Sequence, residues 1–98
     1  MATDLIRIDH EVMLSPYCVV ISGNHSSMNG SYRYGPALVA PIVIGKGSWI
    51  ASHVVVTAGC TIAENCLIAA NAVVTQNIPA NVIAGGIPAR IINHNPPS

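Results

Sequence analysis

The sequence predicts an all-β repeat protein, and three features carry that expectation. Branched apolar residues recur every six positions, small residues follow them directly, and Gly or Asn stands two positions later. Read from Ile44, the chain divides as "IGKGSW IASHVV VTAGCT IAENCL IAANAV VTQNIP", with Ile44, Ile50, Val56, Ile62, Ile68 and Val74 in first place. The same phase occurs upstream in "IDHEVM LSPYCV VISGNH", starting at Ile8, Leu14 and Val20. All nine first positions are therefore Ile, Leu or Val, although these types account for only 28 of the 98 residues. Neither the 3.6-residue period of a helix nor the alternation of a long strand yields a strict six.

The second column from Ile44 onward is Gly45, Ala51, Thr57, Ala63, Ala69 and Thr75, all small. The fourth is Glu11, Tyr17, Gly23, Gly47, His53, Gly59, Asn65, Asn71 and Asn77. Six of these nine are Gly or Asn, the types that enter the left-handed backbone region at least cost. A short strand followed by a tight turn, repeated, explains both columns. The pattern leaves the hand of the winding open.

Composition narrows the functional classes. The chain is 51% hydrophobic and 8% charged, with no Phe and one Trp, so its core is built from Ile, Val and Ala. Formal net charge is zero and no basic stretch occurs, which argues against nucleic acid and anionic membranes as partners. Apolar runs are broken every few residues by Gly, Ser, Asn or Thr, so none reaches membrane-spanning length. The start "MATDLIRIDHE" lacks the basic and apolar regions of a secretion signal, which makes the cytoplasm the expected location. Cys18, Cys60 and Cys66 form no CxxC motif and read as small buried thiols.

Along the chain, residues 1–78 are expected to form the repeating part, with a loop at about 24–41, and residues 79–98 a capping tail. The phase survives between Val20 and Ile44, but Ser26 and Tyr32 stand where branched residues belong. Residues 26–41 therefore read as a loop leaving the repeat, with His25 at its base. The tail, with Pro79, Gly85, Gly86 and Pro88, is not expected to extend the repeat.

The hexapeptide run together with "NVIAGGIPARII" at residues 81–92 resembles the hexapeptide-repeat acyltransferases, nearest the galactoside and maltose O-acetyltransferases and related polysaccharide O-acetyltransferases. The resemblance implies a left-handed parallel β-helix with three hexapeptides per coil, so that Ile44 stacks on Ile62, Ile50 on Ile68 and Val56 on Val74. Left-handed crossovers run against the general rule for parallel strands, so the hand rests on the family alone. The family also implies a homotrimer with sites between subunits, and acetyl-CoA as acyl donor.

By the same resemblance His25, 24 residues before Trp49 in "SWIASHVVV", is the general base. The chemistry suits the residue: a hydroxyl is a poor nucleophile at neutral pH, and a neutral imidazole can take its proton as the oxygen attacks the thioester. Ser52, Ala70 and Thr75 map onto corner positions of a CoA groove and Arg90 near the CoA phosphates, while Trp49 either lies beside the groove or packs the loop. His53 maps onto a turn residue with a CoA-side or a structural role. Acceptor recognition falls to the loop, through Asn24, Tyr32, Arg33 and Tyr34, with Ser26, Ser27 and Asn29 as further polar groups. His10 and His94 read as solvated.

Two departures from the resemblance stand out: Gln76 and Asn93 stand where relatives often, or in some cases, carry a basic residue, and the N-terminal acceptor-binding region of longer relatives is not expected within these 98 residues. A second reading follows from them, a truncated or non-catalytic β-helix scaffold. A third, a zinc lyase of the γ-carbonic anhydrase type, requires two histidines five residues apart, and no pair here has that spacing. No metal is expected.

Overall fold

The computed structural model describes residues 5–25, 29–31, 33 and 37–97, giving only the backbone at 24, 25, 37 and 38. All regular structure among them is strand: β1 (Ile6–Ile8), β2 (Met13–Leu14), β3 (Val19–Val20), β4 (Gly23–His25), β5 (Ala37–Val39), β6 (Ile42–Ile44), β7 (Trp49–Ile50), β8 (Val55–Val56), β9 (Thr61–Ile62), β10 (Leu67–Ile68), β11 (Val73–Val74), β12 (Val82–Gly85) and β13 (Arg90–His94).

Successive strands turn through three faces of a parallel β-helix. The first face stacks β1, β6 and β9; the second β2, β7, β10 and β12; the third β3, β8 and β11. Register between coils follows the six-residue phase. Ile44 pairs with Ile62, Ile50 with Ile68 and Val56 with Val74, as the first-column stacking requires. Ile8 pairs with Ile44 and Leu14 with Ile50, 36 residues apart and twice the normal coil. The excursion therefore takes up a whole number of hexapeptides, which is why the phase survives it. At its base β4 and β5 form an antiparallel pair, Gly23 opposite Val39 and His25 opposite Ala37.

The core is a column of first-position residues: Ile44, Ile50, Val56, Ile62, Ile68 and Val74 are all fully buried. A second inward column, at position five, comprises Ser48, Val54, Cys60, Cys66 and Ala72, also buried. Its chemical variety hid it from the sequence reading. Ser48 is tolerated there because its Oγ donates to the Ala63 carbonyl at 3.0 Å and accepts from Cys66 N–H at 3.0 Å. Burial pushes the Cys66 thiol above its usual pKa, and it donates to the Pro79 carbonyl at 3.0 Å. In the first coil the inward residues are less covered: Ile8 and Leu14 remain more than two-fifths exposed.

The turn column behaves as its position demands rather than as its residue types prefer. Gly47, Gly59, Asn65 and Asn71 have positive φ, but so do Glu11, Tyr17 and His53. Gly23 departs from the column because it opens β4 and leaves the coil. Asn77 departs because the last coil is two residues short. Ile62 bridges to Ile78, and Ile68 pairs with Ala84, each sixteen residues on rather than eighteen. The expected boundary at residue 78 thus falls inside a fourth, partial coil. Ile78 and β12 continue the first and second faces, contrary to the expectation that the tail would not extend the repeat. The fold-back begins only after Gly85. The Gly86 carbonyl accepts from Val73 N–H at 3.0 Å and Ala89 N–H donates to the Val73 carbonyl at 2.8 Å, which satisfies the free edge of β11. β13 then returns antiparallel to β12.

Candidate functional site

Ser52 and Ala70 occupy equivalent places in consecutive coils, at the corner between the second and third faces. Asn71 N–H donates to the Ser52 carbonyl at 3.1 Å, and Ala51 N–H to the Ile68 carbonyl at 3.0 Å, so the two turns stack directly. One coil higher, Gly85 lies over Ala69; a Cβ on Gly85 would come within 3.1 Å of the Ala69 Cβ. Arg90 pairs with Gly85, which puts it at the upper end of the same corner. One coil below, Tyr17 and His53 stack with ring centroids 5.1 Å apart and an interplanar angle of 17°. A single ridge thus carries, in order, Tyr17, Ser52–His53, Ala70–Asn71 and Arg90.

Ser52 is half-buried and Ala70 exposed, and both side chains are short. Arg90 is exposed, with Nη1 donating to the Ala89 carbonyl at 3.0 Å. It lines a cleft of about 340 Å³ with Gln76, Asn77, Ile78, Pro79, Ala89 and Ile91 across the C-terminal mouth of the coil. Thr75 precedes Gln76 and is exposed, but it lies past β11, at the next corner from Ser52 and Ala70. Trp49 projects from the second face, about half exposed, and its Nε1 donates to Ser15 Oγ at 2.9 Å.

The β4 strand carrying His25 leaves the coil just past β3, at the corner between the third and first faces. Within one chain, therefore, the Ser52–Ala70 ridge and the strand bearing His25 belong to different corners. The side chains of Asn24 and His25 lie outside the described residues, as do Tyr32 and Tyr34. Arg33 is exposed, its N–H donating to Ser31 Oγ at 3.2 Å. His10 and His94 are exposed. Among the described residues no group of three or more His, Cys, Asp or Glu side chains could hold a metal ion, and no helix is long and apolar enough to cross a membrane.

The first corner carries a feature that the sequence reading missed. Asn65 Nδ2 donates to Asn81 Oδ1 at 3.0 Å and to the Asn95 carbonyl at 2.9 Å, and Asn95 Nδ2 returns a bond to the Asn65 carbonyl at 3.1 Å. This amide ladder ties the tail to the coil. Beside it lies a cleft of about 450 Å³ lined by Glu11, Lys46, Gly47, Glu64, Asn65, Asn81 and Pro97. Asn65 and Asn81 are sixteen residues apart, so the eighteen-residue coil does not align them.

Residues 41–76 match the family model for the bacterial transferase hexapeptide, in six repeats. The repeat is that of the hexapeptide transferases. Galactoside O-acetyltransferase of Escherichia coli K12 is 37% identical over 87 residues, covering 89% of this chain and 43% of that protein. A putative colanic acid biosynthesis acetyltransferase, WcaF, from the same organism is 31% identical over 89% of this chain and 46% of its own length. The solved structure of galactoside acetyltransferase in complex with coenzyme A superposes with a TM-score of 0.87 at 35% identity, over 93% of this chain and 46% of that one. A maltose O-acetyltransferase from Clostridium difficile 630 shares the fold at 22% identity and a TM-score of 0.75, over 98% of this chain and 70% of its own. The chain spans less than half the length of the two Escherichia coli relatives it matches. A left-handed winding of the coil is consistent with those matches.

Proposed function

We propose that this chain is the catalytic β-helix of an acetyl-CoA-dependent O-acetyltransferase acting on a hydroxyl of a sugar or similar small acceptor. The observation that carries the reading is the ridge of small corner residues leading to Arg90, in a fold whose 35%-identical solved relative is a complex with coenzyme A. On this reading the pantetheine arm runs along Ser52 and Ala70 and bonds corner amides, with Trp49 at its flank. Arg90, with Thr75 near the mouth, meets the phosphates through charge-assisted bonds.

His25 acts as general base. Its imidazole takes the acceptor hydroxyl proton as that oxygen attacks the thioester carbonyl. The tetrahedral adduct then expels sulfur, the C–S bond breaks, and the imidazolium returns the proton to the departing thiolate. No covalent enzyme intermediate is needed. Acceptor contacts come from Asn24, Tyr32, Arg33 and Tyr34 of the excursion.

Because the ridge and the His25 strand belong to different corners of one chain, the reading requires a neighbouring copy, and a homotrimer supplies it by three-fold symmetry. The test is acetyl transfer to a panel of sugars by wild type and His25→Ala. Loss of transfer with CoA binding retained supports the assignment; undiminished transfer removes His25 from the mechanism. The scaffold reading is favoured by the replacement of family cations at Gln76 and Asn93. It predicts no CoA binding by wild type at all.

A further inference from the structure

We infer that the stacked Tyr17–His53 pair is a binding platform for the apolar face of an uncharged sugar ring, at the acceptor end of the ridge. The inference rests on the donor-groove reading above for its direction along the corner. Its evidence lies in the pair itself.

Tyr17 has φ 64° and is 77% exposed. A bulky residue is a genuine outlier in the left-handed region; at equivalent turns the same chain uses Gly47, Gly59, Asn65 and Asn71, with Glu11 as the other costly type. Neither core packing nor turn geometry accounts for a tyrosine here: its ring is outside the core, and its backbone is costly where Asn is cheap. What the tyrosine adds is a ring laid on that of His53, itself exposed and at φ 61°. Backbone held in a sparsely populated region points towards function when surrounding structure maintains it.

The surroundings narrow the ligand. Trp49 is 46% exposed, and its bond to Ser15 links the second coil to the turn that bears Tyr17. The ridge segment around the pair (Ser15, Pro16, Tyr17, Trp49, Ala51, Ser52 and His53) contains no Asp, Glu, Lys or Arg. None of these seven residues carries a fixed charge to pair with a charged ligand, whereas Arg90 stands at the opposite end of the ridge. Flat aromatic surface with hydroxyl and imidazole edges suits a ring that shows C–H on one face and hydroxyls at its rim. If the donor runs from Arg90 towards Ser52, the next coil along is where the acceptor must come, and that coil carries Tyr17.

The test uses the full chain and Tyr17→Asn, which removes the ring while relaxing the turn. Saturation-transfer NMR with methyl galactoside, and phenol as an aryl control, reads the platform; calorimetry with CoA reads the donor groove separately. Expected are saturation of the sugar ring protons, a roughly five- to tenfold weaker sugar affinity in Tyr17→Asn, unchanged CoA binding, and a melting temperature no lower than wild type. His53→Asn should repeat the loss, and Tyr17→Phe should retain most affinity. Equal sugar affinity in wild type and Tyr17→Asn, absence of sugar binding, binding of phenol alone, or a change in oligomeric size in Tyr17→Asn would each overturn the assignment, the last by making the pair a subunit contact. Failure of CoA to bind would sink the donor reading while leaving the sugar titration interpretable.

Discussion

Gly45→Ala tests how closely the coils are stacked. Gly45 has no positive φ, so alanine meets no conformational penalty there, and Gly→Ala at a compatible site ordinarily stabilises by about 0.4–1 kcal/mol through the unfolded chain. The obstacle is contact. A Cβ at Gly45 would stand 2.6 Å from both the Ala63 carbonyl carbon and Glu64 N, and 2.9 Å from the Ala63 oxygen. All three are backbone atoms of the next coil, so no side chain can swing aside. Relief requires the turns to separate, which strains the 2.7 Å bond from Gly45 N–H to the Ile62 carbonyl and the Ser48 Oγ bond to the same Ala63 oxygen. Overpacking of this kind costs about 1–3 kcal/mol, and each weakened hydrogen bond adds about 1 kcal/mol. Against the entropic gain, a net loss of about 3 kcal/mol is expected, or roughly 15 °C in melting temperature for a chain of this size. Thermal and urea melts followed by circular dichroism, at one fixed protein concentration, provide the assay. Gly47 is the control: a Cβ there meets nothing within 4 Å, and its φ of 75° suits Asn, so Gly47→Asn should cost well under half as much. A Gly45→Ala protein as stable as wild type would refute the stacking argument.

Three further outcomes are expected. Asn65→Ala breaks the amide ladder and should loosen the tail, seen as faster amide exchange at Asn81 and Asn95, with about 1–2 kcal/mol lost overall; unchanged exchange at those sites would show that the ladder does not hold the tail. The folded-state pKa of Cys66 is raised by burial, so this group's contribution to stability is fully present below the ordinary thiol pKa of about 8.5 and is lost as pH rises through the folded value. Melting temperature should therefore fall more steeply above that pH in wild type than in Cys66→Ala, and parallel profiles would contradict the assignment. Alkylation without denaturant should modify Cys18 ahead of Cys60 and Cys66, which are buried; mass spectrometry of the labelled protein decides the order.

Much of the fold was legible because a six-residue column of Ile, Leu and Val has few explanations, and the stacking of Ile44, Ile50 and Val56 on their partners follows from it. The position-five column was not legible, since Ser48, Val54, Cys60 and Ala72 share burial but no chemical type. Nor was the fourth coil: the short turn before Ile78 shifts the phase by two residues, and Pro79 and the glycines read as the end of a repeat that in fact continues through Ala84. For the candidate site, the sequence pointed to Ser52, Ala70, Thr75 and Arg90; Ser52, Ala70 and Arg90 lie along one corner, and Thr75 lies at the next. It could not show that the strand bearing His25 leaves from another corner, because a corner is a property of the whole coil. The Tyr17–His53 pair carried a readable signal, two aromatic residues in a column otherwise rich in Gly and Asn, but their contact depends on a register of 36 residues across the excursion.

The most direct test of the donor groove is calorimetric titration of the protein with acetyl-CoA, beside Arg90→Ala. The account predicts saturable binding that weakens roughly fivefold in the variant, as loss of one exposed charge-assisted phosphate contact should. No binding at millimolar acetyl-CoA, or equal affinity in the two proteins, would contradict it.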